Sequence, residues 1–105
     1  MRIISALELN EALHRGENYQ IIDIRESYEY SACNIGSIHI PMGELCDRCS
    51  ELSSSKNIVI MCRSGKRAEA MANLLTTDFE MNNIWILEGG ILAWKEQVDQ
   101  TLELD

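Results

Sequence analysis

Positive charge is scarce in this chain: nine lysines and arginines face seventeen aspartates and glutamates, a formal net charge of −8 over 105 residues. That balance argues against a nucleic-acid or anionic-membrane partner, because both need a broad positive patch to displace counterions. Any anion the protein handles must be met locally. Long apolar runs are also missing. The longest, Ile58 to Cys62, falls far short of the ~20 residues of a membrane helix. Glu8 and Glu11 stand where a secretion signal would need an apolar stretch, so the expected location is the cytoplasm. Proline occurs once, at Pro41, and no repeat, low-complexity tract or linker interrupts the sequence. With 46% hydrophobic residues, residues 1–105 are expected to form one domain around one core. The four cysteines are expected as free thiols, since a reducing compartment and a self-sufficient core both disfavour disulfides.

Short apolar runs alternate with helical patterns. Ile3 and Ile4 read as a first strand, followed by "SALE", in which Ser5 can cap a helix and Glu8 can reach back to it. Gly16 suits the end of that helix. Four further runs, residues 19–24, 37–40, 57–62 and 83–87, are rich in β-branched and aromatic residues and read as strands. Between them, Met42, Leu45, Cys46, Cys49 and Leu52 recur at helical spacing. So do Ala68, Met71, Ala72 and Leu75, and again Ile91, Trp94 and Val98. Strands this apolar, separated by helices, predict an α/β fold with a parallel sheet covered on both faces. Ligands of such folds bind where strands end and helices begin.

Cys62 stands at such a place, and "CRSGKRA" gathers Arg63, Lys66 and Arg67 within six residues of it. A free thiol with a pKa of about 8.5 is only a few per cent thiolate near neutral pH, so a nucleophilic cysteine needs help from its surroundings. A strand, a turn through Gly65 and a helix N-terminus aim backbone N–H groups at one point, and the helix dipole adds to them. The three cations push the same way. The bland alternative is a small buried residue at a strand end beside an exposed basic turn; against it stands a local charge opposite to that of the whole chain.

The segments "IIDIRESYEY", "HIPMGEL", "IVIMCRSGKRAEAMANLL" and "WILEGGILAW", in this order, resemble the landmarks of rhodanese-like domains. The most specific are the cysteine loop closed by an arginine at its sixth position, and "EGGILAW". The resemblance implies the family's α/β fold with a central parallel five-stranded sheet and helices on both faces. It implies sulfur transfer in two covalent steps: Cys62 takes the outer sulfur of a donor such as thiosulfate as a persulfide, then passes it to a thiol or cyanide-like acceptor. On the same ground Arg63, Ser64, Gly65, Lys66, Arg67 and Ala68 would cradle the substrate, with no cofactor and no metal. Arg67 matches the closing arginine. "HIPMGEL" is similar to rhodanese domains fused to enzymes that adenylylate sulfur carriers, which suggests a sulfur-carrier protein as partner. Two departures stand out: Cys33-Asn34-Ile35 replaces the usual Gly-His-Ile, and Ala68 replaces a serine or threonine.

Two other functions compete with the sulfurtransferase reading. Phosphatases of related fold also close a cysteine loop with arginine, but their loop is one residue longer, as a phosphate requires. A sulfur-relay or binding module acting only with a protein partner would need the same Cys62 loop. Cys46 and Cys49 form C-x-x-C, yet both fall on the apolar stripe of their helix, and a zinc site would have only Cys33 and His39 to complete it; a buried-core role is expected, with a redox role the alternative. His14 is expected on the surface in the last turn of its helix. His39 is expected to be packed or exposed rather than catalytic. Asp23 and Arg25 are expected to form an ion pair or loop anchor with Glu29 nearby, and Trp85 and Trp94 to lie in the core.

Overall fold

A computed structural model of the protein describes residues 2–104. Strands β1 (Arg2–Ile4), β2 (Tyr19–Asp23), β3 (Ile38–His39), β4 (Asn57–Met61) and β5 (Ile84–Leu87) alternate with helices α1 (Ala6–His14), α2 (Ser27–Ala32), α3 (Met42–Leu45), α4 (Lys66–Thr77) and α5 (Gly90–Gln97). The strands form one sheet in the order β1-β5-β4-β2-β3, every pair parallel. This is the five-stranded α/β architecture expected from the sequence. No helix among the described residues is long and apolar enough to cross a membrane.

The central strand β4 explains why both faces are covered. Side chains alternate across a strand, and here both alternating sets are apolar. Ile58 and Ile60 pack with Ile22, Met71 and Leu75, whereas Val59 and Met61 pack with Leu9, Leu87, Ile91 and Trp94. The sheet is therefore sandwiched between α4 with the α3 region on one side and α1 with α5 on the other. Each fully buried aliphatic side chain contributes about 1.5–3 kcal/mol, so these two layers set the strand positions. Helix α1 starts as its capping box requires: Glu8 N–H donates to Ser5 Oγ, and Ser5 N–H donates to Glu8 Oε1. His14 is exposed and its Nδ1 bonds Asn10 O.

Two expectations need revision. The stripe from Met42 to Leu52 is not one helix. Helix α3 ends at Leu45, and a single 3₁₀ turn follows at Cys49–Glu51. Arg48 N–H is shared between Glu44 O and Leu45 O, and the next bonds span three residues, Glu51 N–H to Arg48 O and Leu52 N–H to Cys49 O. That tightening turns the chain back toward β4 while Leu45 and Leu52 stay in the core, with Cys46 and Cys49 packed against it. Trp94 is buried as expected, but Trp85 is half-buried, edge-on to Tyr19 at 5.8 Å, with Arg2 over its ring.

At the carboxyl end of β2, Asp23 and Arg25 form the expected ion pair, and both are buried, at 0% and 2% exposure. Asp23 Oδ1 accepts from Arg25 N and Nε, and Oδ2 accepts from Nη2 at 2.9 Å. The remaining donors of the guanidinium reach Cys33 O at 2.7 Å and Glu29 O at 3.5 Å, capping the carbonyl end of α2. His39, stacked on Tyr30, donates from Nε2 to Arg25 O. A buried charge pair is costly to break because one charge is left uncompensated. Asp23→Ala is therefore expected to lower unfolding stability by about 3–5 kcal/mol, measured by urea denaturation at neutral pH. A loss under about 1 kcal/mol would show that the pair does not anchor α2.

Candidate active site

Strand β4 delivers Cys62 to the edge of the sheet, and Arg63, Ser64 and Gly65 turn the chain into α4. The turn needs a residue with positive φ, supplied by Gly65 at φ +106°. Its N–H donates to Cys62 Sγ at 3.1 Å, and Ala68 N–H donates to the same sulfur at 3.4 Å. Cys62 is 1% exposed and Ala68 is fully buried, so the sulfur lies on the floor of the loop. Helix α4 spans 12 residues, and its N-terminal dipole faces the same point. A sulfur held by backbone donors at a helix N-terminus is suited to carrying negative charge.

The loop is fixed from outside by α5. Ile91 N–H donates to Cys62 O at 2.9 Å and Leu92 N–H donates to Arg63 O at 3.2 Å. Such contact requires a residue without a side chain. A Cβ on Gly90 would lie 2.4 Å from both Cys62 O and Arg63 O, and Gly90 also has φ +61°. The paired glycines of "EGGILAW" thus let one backbone lie against another. A doubled glycine at a strand–helix junction is the sequence signal for that approach.

The basic residues separate. Lys66 and Ser64 are exposed, beside a groove of about 270 Å³ that also holds Glu69 and Glu88. Arg63 lines a separate cleft of about 260 Å³, with Arg25, Tyr28, Glu29, Cys33 and Glu103 among its walls. Arg67 does not act as a loose third cation. Its Nη1 donates to Glu29 Oε1 at 2.9 Å and its Nη2 to Glu29 Oε2 at 3.2 Å, a two-pronged pair. The hydrogen bond to Glu29 chiefly holds the Arg67 guanidinium above its usual range, and Cys62 contributes less. In turn Arg67 chiefly holds the Glu29 carboxyl below the usual carboxylate range, with help from Glu26 N–H.

Glu29 lies near Arg25, as expected, through its carbonyl, but its carboxylate goes to Arg67, a pairing the sequence did not suggest. Cys33 lines the cleft with Arg63. All four cysteines are free thiols. Among the described residues, no group of three or more His, Cys, Asp or Glu side chains is placed to hold a metal ion.

A family model described as a rhodanese-like domain matches residues 5–97. A putative sulfurtransferase of Bacillus subtilis, YtwF, is 33% identical over 94 residues, covering 88% of each chain. A putative sulfur carrier protein of the same organism, YrkF, is 37% identical over 73 residues, which are 69% of this chain and 40% of that one. The chain thus spans well under half of YrkF. Among solved structures, a rhodanese-related protein from Thermoplasma volcanium superposes with a TM-score of 0.83 at 31% identity, over the whole of both chains.

Two outcomes test the site's construction. Gly90→Ala is expected to lose at least about 2 kcal/mol of stability, since backbone contacts must move apart. Gly36→Ala shares a positive φ of +77° but meets nothing within 4 Å, and should lose about 1 kcal/mol; equal losses in thermal or urea unfolding would refute the close-approach explanation. The second outcome concerns pH. Glu29 has a lowered folded pKa, so its pair with Arg67 stabilises the protein above the unfolded value of 4.5. That contribution fades as pH falls through the lowered folded value. The stability advantage over Glu29→Gln should be constant from neutral pH to about 5 and shrink below it. An advantage that grows on acidification would reverse the assignment.

Proposed function

The chain belongs to the rhodanese-like family, and from that premise we propose that it is a sulfurtransferase whose nucleophile is Cys62. The observation that carries this reading is the convergence of Gly65 and Ala68 N–H groups on Cys62 Sγ. With thiosulfate as donor, the thiolate attacks the outer sulfur. The new S–S bond forms as the old one breaks, and sulfite leaves with the electron pair. The persulfide anion stays in the loop, where backbone donors from Arg63 to Ala68 take the charge. A thiol or cyanide acceptor then removes the outer sulfur, and the Cys62 thiolate returns as leaving group. Splitting the transfer in two lets donor and acceptor use the site in turn.

A second reading is favoured by one observation: a relative carries the name of a sulfur carrier protein and is much longer than the matched segment. In that reading the Cys62 persulfide is handed to a protein partner, with little turnover on small molecules. Location in the cytoplasm and organisation as a single domain belong to the same proposal.

Mass spectrometry after mixing with thiosulfate is expected to show one extra sulfur on Cys62 and none on Cys46 or Cys49. Cys62→Ser should lower transfer to cyanide by at least about 10³-fold. Extra sulfur carried chiefly by another cysteine would overturn the assignment. Persulfide formation without cyanide turnover would select the partner-dependent reading.

A further inference from the structure

Given the sulfurtransferase reading, on which this inference rests, the unexplained feature is the two-pronged pair between Arg67 and Glu29. An arginine that closes a nucleophile loop in an acidic protein would serve best as a free charge facing an anionic donor. Here both terminal nitrogens are committed to one carboxylate. That carboxylate is itself held firmly. Glu29 Oε1 also accepts from Glu26 N–H at 2.9 Å, and its side chain is only 14% exposed. The far end of α2 is capped by Arg25 through Cys33 O, and Arg25 is pinned by the buried Asp23. The pair is thus a fixed element built from two other parts of the chain.

We propose that Glu29 is a specificity-determining positioning residue: by cancelling the charge of Arg67 beside the loop, it disfavours dianionic donors such as thiosulfate and directs the site toward persulfides of otherwise uncharged organic thiols, which carry at most one negative charge. The surroundings agree. Arg63 shares its cleft with the carboxylates of Glu29 and Glu103. Lys66 shares its groove with Glu69 and Glu88. Neither approach to the loop offers an excess of positive charge. The cleft of about 260 Å³, walled by Tyr28, Ala32 and Leu104 as well as charged groups, is of a size for a small organic molecule. The exchange balances: Cys62 thiolate attacks the outer sulfur of R–S–SH, the S–S bond of the donor breaks, and R–S⁻ leaves.

The test compares kcat/KM for thiosulfate with kcat/KM for the persulfide of 2-mercaptoethanol, whose thiol is uncharged, in the unsubstituted protein and in Glu29→Gln. The glutamine keeps one oxygen that can accept from both Glu26 N–H and Arg67 Nη1, but loses the acceptor for Arg67 Nη2 and releases the charge. The thiosulfate-to-persulfide ratio is expected to rise about fivefold, through a lower KM for thiosulfate, with kcat for the organic persulfide little changed. Glu29→Asp, which keeps the charge, should retain the original ratio. Because a ratio is read, a partly unfolded sample cancels out. An unchanged ratio, or an equal fall for both donors, would overturn the inference and leave the sulfurtransferase reading standing. Absence of transfer from either donor in the unsubstituted protein would overturn that reading itself. A measurement free of substitutions guards against a variant that does not fold. Raising salt from about 0.01 to 0.15 M shortens the Debye length from about 30 to 8 Å, and should speed the thiosulfate reaction more than the persulfide one. A thiosulfate rate that falls with salt would mean an attractive uncompensated cation, contrary to the proposal.

Discussion

A trans peptide points its carbonyl and its N–H in opposite directions, and the cysteine loop depends on which of the two faces inward. The carbonyls of Cys62 and Arg63 are taken by the first amides of α5. The same peptide planes therefore turn the N–H groups of Arg63 and Ser64 away from α5, while Gly65 and Ala68 direct theirs to Sγ. The result is a ring of donors with few acceptors, assembled from the backbone around the cysteine sulfur. Gly90 makes this possible because two backbones approach where a Cβ would meet carbonyl oxygens at 2.4 Å.

Everything around the loop holds that ring in register. Parallel strands place β2, β4 and β5 with their carboxyl ends at one edge of the sheet, so the segments leaving each strand meet there. After β5 comes the α5 clamp. The segment after β2 carries the buried Asp23–Arg25 pair, which caps α2, and α2 presents Glu29 to Arg67 at the start of α4. The loop is thus tied from two sides, by backbone bonds to α5 and by an ion pair to α2. The apolar layers on both faces of β4 keep these segments at fixed separation.

Much of this was legible in the sequence, for identifiable reasons. Period and composition marked the strands and the helices of α1, α4 and α5, because each must bury one stripe or two faces. The capping box of Ser5 and Glu8 is a local rule and was met locally. The loop itself was legible because a cysteine, a glycine and a helix start within seven residues confine the geometry. Four things were not, the first being α2, whose six residues bury no side chain and so show no apolar stripe. Helix α3 was overrun because a helical stripe and a 3₁₀ turn place apolar residues at nearly the same spacing. Trp85 lies next to β1 at the sheet's edge and is only half covered, and strand order cannot be read from periodicity. The Glu29–Arg67 pair joins residues 38 apart in sequence, and depends on where α2 docks.

That last pair changes the electrostatic account of the site. Counting charges along the loop gives three cations; the fold leaves Arg67 balanced, and sets Arg63 and Lys66 among carboxylates. In the proposed reaction the work of stabilising a sulfur anion would then fall on oriented backbone dipoles, which cost little reorganisation when charge develops. The most direct test is a crystal structure of the protein persulfidated at Cys62. The account predicts the outer sulfur inside the loop, within hydrogen-bond reach of backbone N–H groups between Arg63 and Ala68, with the α5 bonds to Cys62 O and Arg63 O intact. An outer sulfur turned into the cleft beside Cys33, touching side chains and no loop amide, would contradict it.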